Sequence, residues 1–244
     1  MGKARTRGNL FPLFLKLAGR RCVVVGAGKI SEGKIQGLLS AGAHVLVVAP
    51  SATPQIEKWH SRGTLRWTKR VFKPRDLDRA FLVVAATSSN KVHRAIYREA
   101  KRRGVLCNIV DVPPLCDFYY PAVVRRGALQ IAISTGGASP ALAKRLRQQL
   151  EREFTEDYAG WLRHLARERK KIRAMKASPA TKMQTLEAQV SREAFEEFRR
   201  SRRDTPSPRH RSVAGVGSVA SLFVPKRDDR IDAHGAPRGN PASQ

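Results

Sequence analysis

The stretch VVVGAGKISEGK, residues 23–34, joins an apolar run to two closely spaced glycines and a helix-like continuation. Gly26 permits a tight turn, and Gly28 leaves the backbone bare where a phosphate group can approach it. A helix that begins just after this turn would direct unpaired N–H groups and positive potential to the same place. Ser31 stands where such loops usually carry Gly or Ala. We therefore predict a dinucleotide-binding loop, and a glycine turn that binds nothing is the alternative.

Two further stretches end where the same ligand would lie. VVAPS closes an apolar segment with Ala49, Pro50 and Ser51 instead of the acidic residue that usually holds the ribose hydroxyls of NAD. Ser51 and backbone groups could take that role, so the sequence leaves the choice between NAD and NADP open. VVAATSSN ends in Ala86 and Thr87. These small side chains would either leave room for a nicotinamide ribose or simply pack within a crowded sheet.

One carboxylate follows another apolar segment, in CNIVDVPP. Asp111 stands directly after this segment, at the position where open α/β sheets bind ligands. It could act as a general base beside a bound cofactor, a role that requires partial burial. An aspartate before a proline-rich turn is also an ordinary turn former, and we keep that alternative. None of the six histidines has metal-ligand spacing with another His or Cys, so we predict no fixed metal site.

The segments that must position these residues alternate between apolar runs typical of strands and stretches with helical spacing. Short apolar segments such as RCVVV, HVLVVAP, AFLVVAAT and VLCNIV are typical of strands that are covered on both faces. The segments between them have helical spacing; in the first, Ile30, Ile35, Leu38 and Leu39 should share one face. Strands separated by helical crossovers predict a doubly wound parallel sheet.

The pattern changes at Pro113-Pro114. DFYYPAVVRRGALQIAIST predicts two antiparallel strands joined near Arg126-Gly127, and the next segment predicts a long helix with Ser139 as its N-cap and Pro140 in its first turn. Helical periodicity continues, with breaks near Ser178-Pro179, to about residue 203. The remaining residues are rich in Gly, Pro, Ser and charge, and we expect them to be largely disordered, although VASLFV could dock elsewhere.

The formal net charge of +27 over 244 residues suggests a polyanionic partner. Many of the Lys and Arg residues lie after residue 140, and few aromatic residues are interleaved with them as base-stacking platforms. A solvated basic surface, a small polyanionic substrate and a nucleic acid all remain open. No apolar stretch reaches the roughly 20 residues of a membrane-spanning helix, and the N-terminus has no convincing signal peptide, so we expect a cytoplasmic protein without membrane contacts. The three cysteines, Cys22, Cys107 and Cys116, should be reduced thiols.

The motifs together resemble a known family. NLFPLFLKLAGRRCVVVGAGKISEGKIQGLLSAGAHVLVVAP, AFLVVAATSSNKVHRAIYREAKRRGVLCNIVDVPPLCDFYYPAVV and GALQIAISTGGASPALAKRLRQQLE look like the precorrin-2 dehydrogenase/sirohydrochlorin ferrochelatase module of siroheme synthase. The resemblance covers about residues 9–155. It implies an α/β fold with a Rossmann-like NAD-binding domain over 1–112, a strand and helix dimerisation segment over 113–150 and a helical C-terminal domain over 151–203. Residues 204–244, the basic tail, have no counterpart in the family.

The resemblance also implies roles for individual residues. Asp111 matches the catalytic aspartate, which the family uses in dehydrogenation. The dinucleotide contacts fall on Gly26, Ala27, Gly28, Lys29, Ile30, Pro50, Ser51 and Thr87. Precorrin-2 carries carboxylate arms on every ring, so a basic cleft would hold it. The predicted substrate contacts are Arg125, Arg126, Ser134, Thr135, Gly136 and Lys144, and a solvated helix face explains Lys144 equally well.

The resemblance therefore implies NAD-dependent oxidation of precorrin-2 by a homodimer, with ferrous iron as the substrate of a second, chelatase activity. NADP in place of NAD, the inserted metal and the contacts of the tail remain open. A Rossmann-type oxidoreductase acting on another anionic metabolite is the first alternative. The second is a basic nucleotide-sensing or nucleic-acid-binding protein, although we do not expect nucleic acid as the partner because the charge has few stacking aromatics beside it.

Overall fold

Five parallel strands form the first sheet of the protein, in the order β3-β2-β1-β4-β5. The computed structural model describes residues 10–203. The strands are β1 (Arg21–Val25), β2 (His44–Val48), β3 (Arg66–Thr68), β4 (Leu82–Ala85) and β5 (Leu106–Ile109). The helices of this part are α1 (Lys29–Ser40), α2 (Pro54–Ser61) and α3 (Asn90–Arg103). The predicted parallel sheet with helical crossovers is confirmed.

The central strand β1 is buried on both faces, because alternate residues enter two separate hydrophobic clusters. Cys22 and Val24 belong to the cluster that contains Ile35 of α1 and Ile56 of α2. Val23 and Val25 belong to the cluster that contains Ile96 of α3. The continuous apolar composition of the strand therefore reflects helices that cover both sides of the sheet.

The face that α1 turns to the sheet differs from the predicted one. Ile35 and Leu38 are buried as expected, but Ile30 is 62% exposed and Leu39 is only half-buried. The polar residues Ser31 and Glu32 complete the buried face of the first turn. Ile30 therefore does not share the buried face of Ile35 and Leu38, and it lies exposed in the first turn of α1, directly after the glycine loop.

A second, two-stranded sheet follows. β6 (Ala122–Arg126) and β7 (Leu129–Ile133) pair antiparallel, with Val124 opposite Ile131. The helices after it are α4 (Pro140–Glu153), α5 (Asp157–Ala174), α6 (Pro179–Ala188) and α7 (Arg192–Arg203). The predicted hairpin and helical region are thus present.

The N-terminus of α4 is capped as the sequence predicts. The Ser139 hydroxyl accepts a hydrogen bond from the Leu142 N–H at 3.2 Å, and Pro140 occupies the first turn. Aromatic side chains hold α5 against α7: the ring centroids of Tyr158 and Phe195 lie 4.4 Å apart. Favourable ring contacts of this kind stabilise helix packing in addition to the area they bury.

The described residues form one compact unit, so the proposed divisions at 112 and 150 stay predictions. The predicted basic tail, including VASLFV, lies outside the described residues. No helix between residues 10 and 203 is long and apolar enough to cross a membrane. Cys22, Cys107 and Cys116 are all free thiols, as predicted.

Candidate active site at the carboxyl edge of the parallel sheet

The first glycine of the predicted cofactor loop is required by the fold. Gly26 adopts a φ of 101°, in the region that side chains rarely occupy. Its N–H donates a hydrogen bond to the Val48 carbonyl oxygen at 3.0 Å, and a Cβ atom at this position would overlap the Ala86 carbonyl group. The residue therefore lets β1 turn sharply between the ends of β2 and β4.

The second glycine has no such structural requirement. Gly28 has φ −82° and ψ −176°, an extended conformation open to any residue, and an added Cβ would meet nothing within 4 Å. Its missing side chain leaves open space directly before α1, whose N-terminus carries no side-chain cap. A helix start with free N–H groups and open space in front of it fits a pyrophosphate group. The open space before α1 is where the predicted dinucleotide would place its pyrophosphate group.

The other residues of the loop flank Gly28 in the chain. Ala27 is buried, and its carbonyl oxygen accepts a hydrogen bond from the Thr53 N–H at 3.1 Å, which fixes the loop to the start of α2. Lys29 is exposed and forms an ion pair of 2.7 Å with Glu32. The exposed side chain of Ile30 lies in the same first turn. An exposed isoleucine there offers an apolar contact to a bound ligand.

The stretch after β2 ends at the same edge of the sheet. Pro50 and Ser51 are exposed, and the Ala49 carbonyl oxygen before them accepts a hydrogen bond from the Trp67 indole N–H at 3.0 Å. This bond fixes the end of β2 to β3 and leaves the Pro50–Ser51 surface facing solvent. Ser51 and the neighbouring backbone are the groups that could contact a ribose.

Thr87 follows β4 and is held by a histidine that sequence reasoning missed. His93 is only 6% exposed, and its Nε2 lies 2.8 Å from the Thr87 carbonyl oxygen. The Thr87 hydroxyl accepts a hydrogen bond from the Ser89 N–H at 3.2 Å. The alanine-threonine turn is therefore fixed to the start of α3. A histidine one turn into a predicted helix gave no signal of this contact.

Asp111 lies at the turn after β5 with a φ of 61°, a left-handed conformation that aspartate tolerates better than most residues. The prediction of its position at the carboxyl edge is confirmed. Its side chain is exposed, however, so the partial burial that we expected of a general base is absent from the single chain. The Val112 N–H donates a hydrogen bond to the Ile109 carbonyl oxygen at 3.2 Å, and this bond closes the turn that contains Asp111.

Two polar residues fix the segment that follows this turn. The buried Asn108 donates a hydrogen bond from Nδ2 to the Phe118 carbonyl oxygen at 2.8 Å. The Asp117 carboxylate accepts a hydrogen bond from the Cys107 N–H at 3.0 Å, and the Asp117 N–H donates to the Cys107 carbonyl oxygen at 2.7 Å. The chain therefore folds back along β5 and returns towards α1, where Tyr120 packs against the first core cluster.

A lysine on α1 meets this returning segment. Lys34 Nζ lies 3.7 Å from the centroid of the Tyr120 ring, a cation–π contact. Burial lowers the pKa of Lys34 to about 8, while the charges of Asp111 and Cys116 act in the opposite direction. Lys34 is thus a half-buried group whose protonated form is favoured by the charge of Asp111. Sequence reasoning missed Lys34 because its partners follow it by more than seventy residues.

The predicted substrate residues lie on the second sheet and the start of α4. Ser134, Thr135 and Gly136 form a compact turn: the Gly136 N–H bonds to the Ser134 hydroxyl, and the Thr135 hydroxyl donates to the Ser139 carbonyl oxygen at 3.1 Å. Arg125 and Lys144 are exposed nearby in the chain. These groups remain accessible to an anionic ligand.

Arg126 has a different environment from the one predicted. Its Nε donates to the Phe154 carbonyl oxygen at 2.6 Å and its Nη2 to the Glu151 carbonyl oxygen at 2.9 Å. The guanidinium therefore satisfies the last carbonyl groups of α4 and fastens the hairpin to that helix. These bonds leave Arg126 less available to a substrate than the exposed Arg125.

Two cavities lie away from this edge. One, of about 430 Å³, lies between α5 and α7 and is lined by charged residues such as Arg163 and Arg199. The other, of about 410 Å³, lies near the start of β1, where Arg20 and Phe81 line it. The candidate site lies instead along the carboxyl ends of the parallel strands, which is where open α/β sheets bind ligands.

Known proteins share the parallel-sheet domain and the segment that follows it. A family model for NAD(P)-binding domains matches residues 13–122, and a second model, for the central part of sirohaem biosynthesis proteins, matches residues 126–153. Siroheme synthase of Methylobacillus flagellatus is 45% identical over 140 residues, which are 57% of this chain and 30% of that protein. Siroheme synthase of Nitrosococcus oceani is 36% identical over 162 residues, 66% of this chain and 35% of that protein. The chain therefore spans about a third of the length of these relatives.

A solved structure matches more completely. SirC, a precorrin-2 dehydrogenase, superposes with a TM-score of 0.65 and 30% sequence identity. The match covers 80% of this chain and 100% of that one. The two proteins therefore share the same overall fold. The glycine loop is open before α1, residues 13–122 match an NAD(P)-binding domain, and the match to SirC covers that protein's whole length. The chain therefore belongs to the precorrin-2 dehydrogenase family.

Proposed function

We propose that the chain oxidises precorrin-2 to sirohydrochlorin with NAD as the hydride acceptor. The observation that carries this proposal is the contrast between the two glycines. Gly26 is required by the fold, whereas the fold does not require a glycine at position 28, where an added Cβ would meet only open space. Asp111 lies at the same edge of the sheet, after β5, and two strands, β1 and β4, separate β5 from β2 and the ribose surface.

The chain's own residues would bind and orient the two reactants. Gly26, Ala27, Gly28, Lys29 and Ile30 would hold the pyrophosphate side of the dinucleotide, with Pro50, Ser51 and Thr87 completing its contacts. When bound, NAD supplies the acceptor for the hydride that leaves the macrocycle. The substrate also loses one proton, and Asp111 would accept it on a carboxylate oxygen and pass it to solvent. A hydride and a proton together account for the two hydrogens that separate precorrin-2 from sirohydrochlorin.

The substrate's carboxylate arms would meet the exposed cations and hydroxyls after β6. Arg125 and Lys144 provide positive charge, and the turn of Ser134, Thr135 and Gly136 provides hydroxyl and backbone donors. The net charge of +27 further favours the approach of a polyanion. Since Asp111 is exposed in the single chain, the bound substrate itself would bury it.

Insertion of ferrous iron into sirohydrochlorin is the proposed second activity. Two pyrrole protons must leave the ring when the metal enters. Asp111 could accept protons in this step as well, because the product of the first reaction occupies the same crevice. The iron would act as a substrate, delivered to the macrocycle.

We further propose a cytoplasmic homodimer. In the described part of the chain β6 and β7 pair only with each other, so the outer edges of this hairpin can each accept another strand. Phe11 and Phe14 are 82% and 68% exposed, and a second chain could cover these aromatic side chains. Light scattering at micromolar concentration should give the mass of two chains, and the mass of one chain would contradict the proposal.

The decisive experiment is anaerobic turnover of precorrin-2 with NAD, followed by addition of ferrous iron. The 340 nm absorbance of NADH and the sirohydrochlorin spectrum should rise together, and iron should then convert the spectrum to that of siroheme. NADH formation with another anionic metabolite, but none with precorrin-2, would indicate a different oxidoreductase. Salt-dependent retention on DNA without any turnover would indicate a nucleic-acid-binding protein.

A further inference from the structure

The amino edge of the parallel sheet, opposite the candidate active site, carries arginines around one cavity. This cavity, of about 410 Å³, lies near the start of β1, and Arg20, Arg21 and Arg79 line it together with small and apolar residues. Of the described residues that line it, none is acidic. The lining therefore brings together three positive charges and no negative one.

Sheet pairing holds the two arginine-bearing segments side by side. β1 pairs with β4, and the Phe81 N–H, just before β4, donates a hydrogen bond to the Arg21 carbonyl oxygen at 2.8 Å. The Arg20 guanidinium lies over the Phe81 ring, with its Cζ 4.4 Å from the ring centroid, a cation–π contact. Arg79 stands two residues before Phe81 in the same segment. The fold thus places the three arginines together, although almost sixty residues separate Arg20 from Arg79.

The carboxylates nearest in the chain are occupied by other arginines. Asp76 accepts two hydrogen bonds from the Arg70 guanidinium, at 2.8 and 2.5 Å. Asp78, the residue before Arg79, forms an ion pair with Arg103. Neither carboxylate therefore neutralises the charge around the cavity.

The three lining arginines have no such partners. Between residues 10 and 203 no ion pair joins Arg20, Arg21 or Arg79 to a carboxylate. The Arg21 Nη2 donates only to a neutral acceptor, the Asp76 carbonyl oxygen, at 3.3 Å, and its Nε is buried without an acceptor in this part of the chain. Arg20 and Arg79 are exposed. Their positive charge is therefore available to a ligand.

The backbone of Arg79 gives an independent indication of a ligand site. Its φ is 55°, and within the described residues only Asp111 shares a positive φ among the non-glycine residues. A long side chain is disfavoured in this left-handed conformation, which glycine adopts freely. Strained non-glycine residues are typical of positions whose side chain serves binding or catalysis.

We propose that this cavity binds a phosphate group, either as the free anion or as part of a phosphate ester. Guanidinium groups donate paired hydrogen bonds to phosphate oxygens, and a phosphate carries about two negative charges at neutral pH, where a carboxylate carries one. A phosphate held by Arg20, Arg21 and Arg79 at once would tie the start of β1 to the segment before β4. The bound anion should therefore stabilise the sheet.

The proposed phosphate site is separate from the cofactor loop. Arg21 begins β1 and Val25 ends it, and four strand steps place their Cα atoms about 13 Å apart. Gly26 and Gly28 follow at the far end of the strand. The phosphate site therefore does not depend on the proposed oxidation of precorrin-2.

The first test observes the cavity directly. The full chain, labelled with ¹⁵N, is titrated with sodium phosphate, and the Nε–Hε resonance of Arg21, identified by its loss in Arg21→Lys, is followed by NMR. We expect a saturable shift with a Kd below about 1 mM. A shift that does not saturate, or one that sodium chloride reproduces at equal ionic strength, would overturn the proposal, because screening alone would then explain it. Titration with glycerol phosphate distinguishes the sources: equal or tighter binding indicates a phosphate ester, and weaker binding indicates the free anion.

The second test compares Arg20→Gln and Arg79→Gly with the control Arg167→Gln, which removes one exposed arginine of α5. We expect phosphate affinity to fall about tenfold or more in each of the first two variants and to stay at the parent's value in the control. Without phosphate, Arg79→Gly should melt at the parent's temperature or above it, because glycine is unstrained at a φ of 55°.

The outcomes separate this site from the proposed function. Unchanged phosphate affinity in Arg20→Gln and Arg79→Gly, or an equal loss in Arg167→Gln, would overturn the phosphate site. All three variants should bind NAD as the parent does, since the cofactor loop lies at the other end of β1. A parent that binds phosphate at Arg21 but does not bind NAD would refute the proposed function alone.

Discussion

Asn108 donates a hydrogen bond to the Phe118 carbonyl oxygen at 2.8 Å, and this bond joins the last strand of the parallel sheet to the segment that carries Tyr120. The donor lies in β5, directly upstream of the Asp111 turn, and the acceptor precedes the ring that faces Lys34. A buried amide thus connects the core to the crevice. The geometry of the proposed site depends on this connection as well as on the residues that touch ligands.

Asn108→Ala should therefore destabilise the fold and loosen the crevice. The substitution removes a buried donor and leaves the Phe118 carbonyl oxygen unpaired, which costs about 1–3 kcal/mol in the free energy of unfolding. Urea denaturation of parent and variant measures this difference. Asn90→Ala, at the exposed start of α3, is the matched control and should change stability far less. Equal effects in the two variants would contradict a structural role for Asn108.

Gly28→Val should abolish NAD binding without unfolding the protein. The backbone at this position is extended and an added Cβ meets nothing within 4 Å, so the fold accepts a side chain that the pyrophosphate cannot. Calorimetry should show no measurable NAD affinity, with circular dichroism and the melting temperature close to the parent's. Gly37→Ala, in the middle of α1 and also free of contacts, is the control and should bind NAD normally. Retained affinity in Gly28→Val would remove the basis of the dinucleotide assignment.

Asp111→Asn should lower turnover by a factor on the order of 100 or more, because the amide cannot accept the proton that a general base removes. Asparagine also tolerates the left-handed φ of 61°, so the turn should survive. NAD and substrate affinities should change little. The exposed Asp78, replaced in the same way, provides the control. Precorrin-2 oxidation at the parent rate would return Asp111 to the role of a turn former, and loss of oxidation with iron insertion intact would show that the two reactions use different bases.

Lys34→Met should make the folded state more stable at neutral pH. The pKa of Lys34 is lowered by burial from 10.5 to about 8, so between these pH values the unfolded chain holds more protons than the folded one. The stability of the parent relative to Lys34→Met should therefore rise across this window, by about 2 kcal/mol after allowance for partial exposure. Urea denaturation of both proteins from pH 7 to 10.5 isolates the effect, since the thiols and phenols common to both cancel. If the difference in the free energy of unfolding between parent and Lys34→Met stays constant from pH 7 to 10.5, the lysine is not desolvated.

The three thiols should differ in their reactivity towards iodoacetamide. Burial raises the pKa of Cys22 to about 11 and that of Cys107 to about 12, so at pH 8 each should react at least about 100-fold more slowly than in unfolded protein. Cys116 is half-buried and should be alkylated first. Peptide mapping after a short pulse, with urea-unfolded protein as the control, measures all three rates. Labelling of Cys22 as fast as that of Cys116 would contradict the buried position of β1.

The sequence predicts the parts of this structure that depend on local periodicity. Apolar runs and helical spacing identify the strands and helices, and Ser139 before Pro140 identifies the start of α4, because each signal spans only a few residues. Ile30 does not share the buried face of Ile35 and Leu38, since helical spacing alone does not show which residues of the first turn the sheet covers. The Lys34–Tyr120 contact and the bonds of Arg126 to the end of α4 join segments that are far apart in the chain. Only tertiary structure brings such partners together, so the pattern of either segment gives no sign of them.

The position of β1 at the centre of the sheet has a consequence for how the protein comes to be folded. On one side β1 pairs with β2, which follows it closely in the chain. On the other side β1 pairs with β4, which is synthesised much later. A nascent chain can therefore complete the first βαβ unit early, but one apolar edge of β1 stays open until β4 has left the ribosome. Pairings over such long sequence separations form slowly, and an open apolar edge is prone to association in the meantime. We expect the yield of active protein in cells to respond to translation rate and chaperone supply more strongly than the stability of the finished fold would suggest.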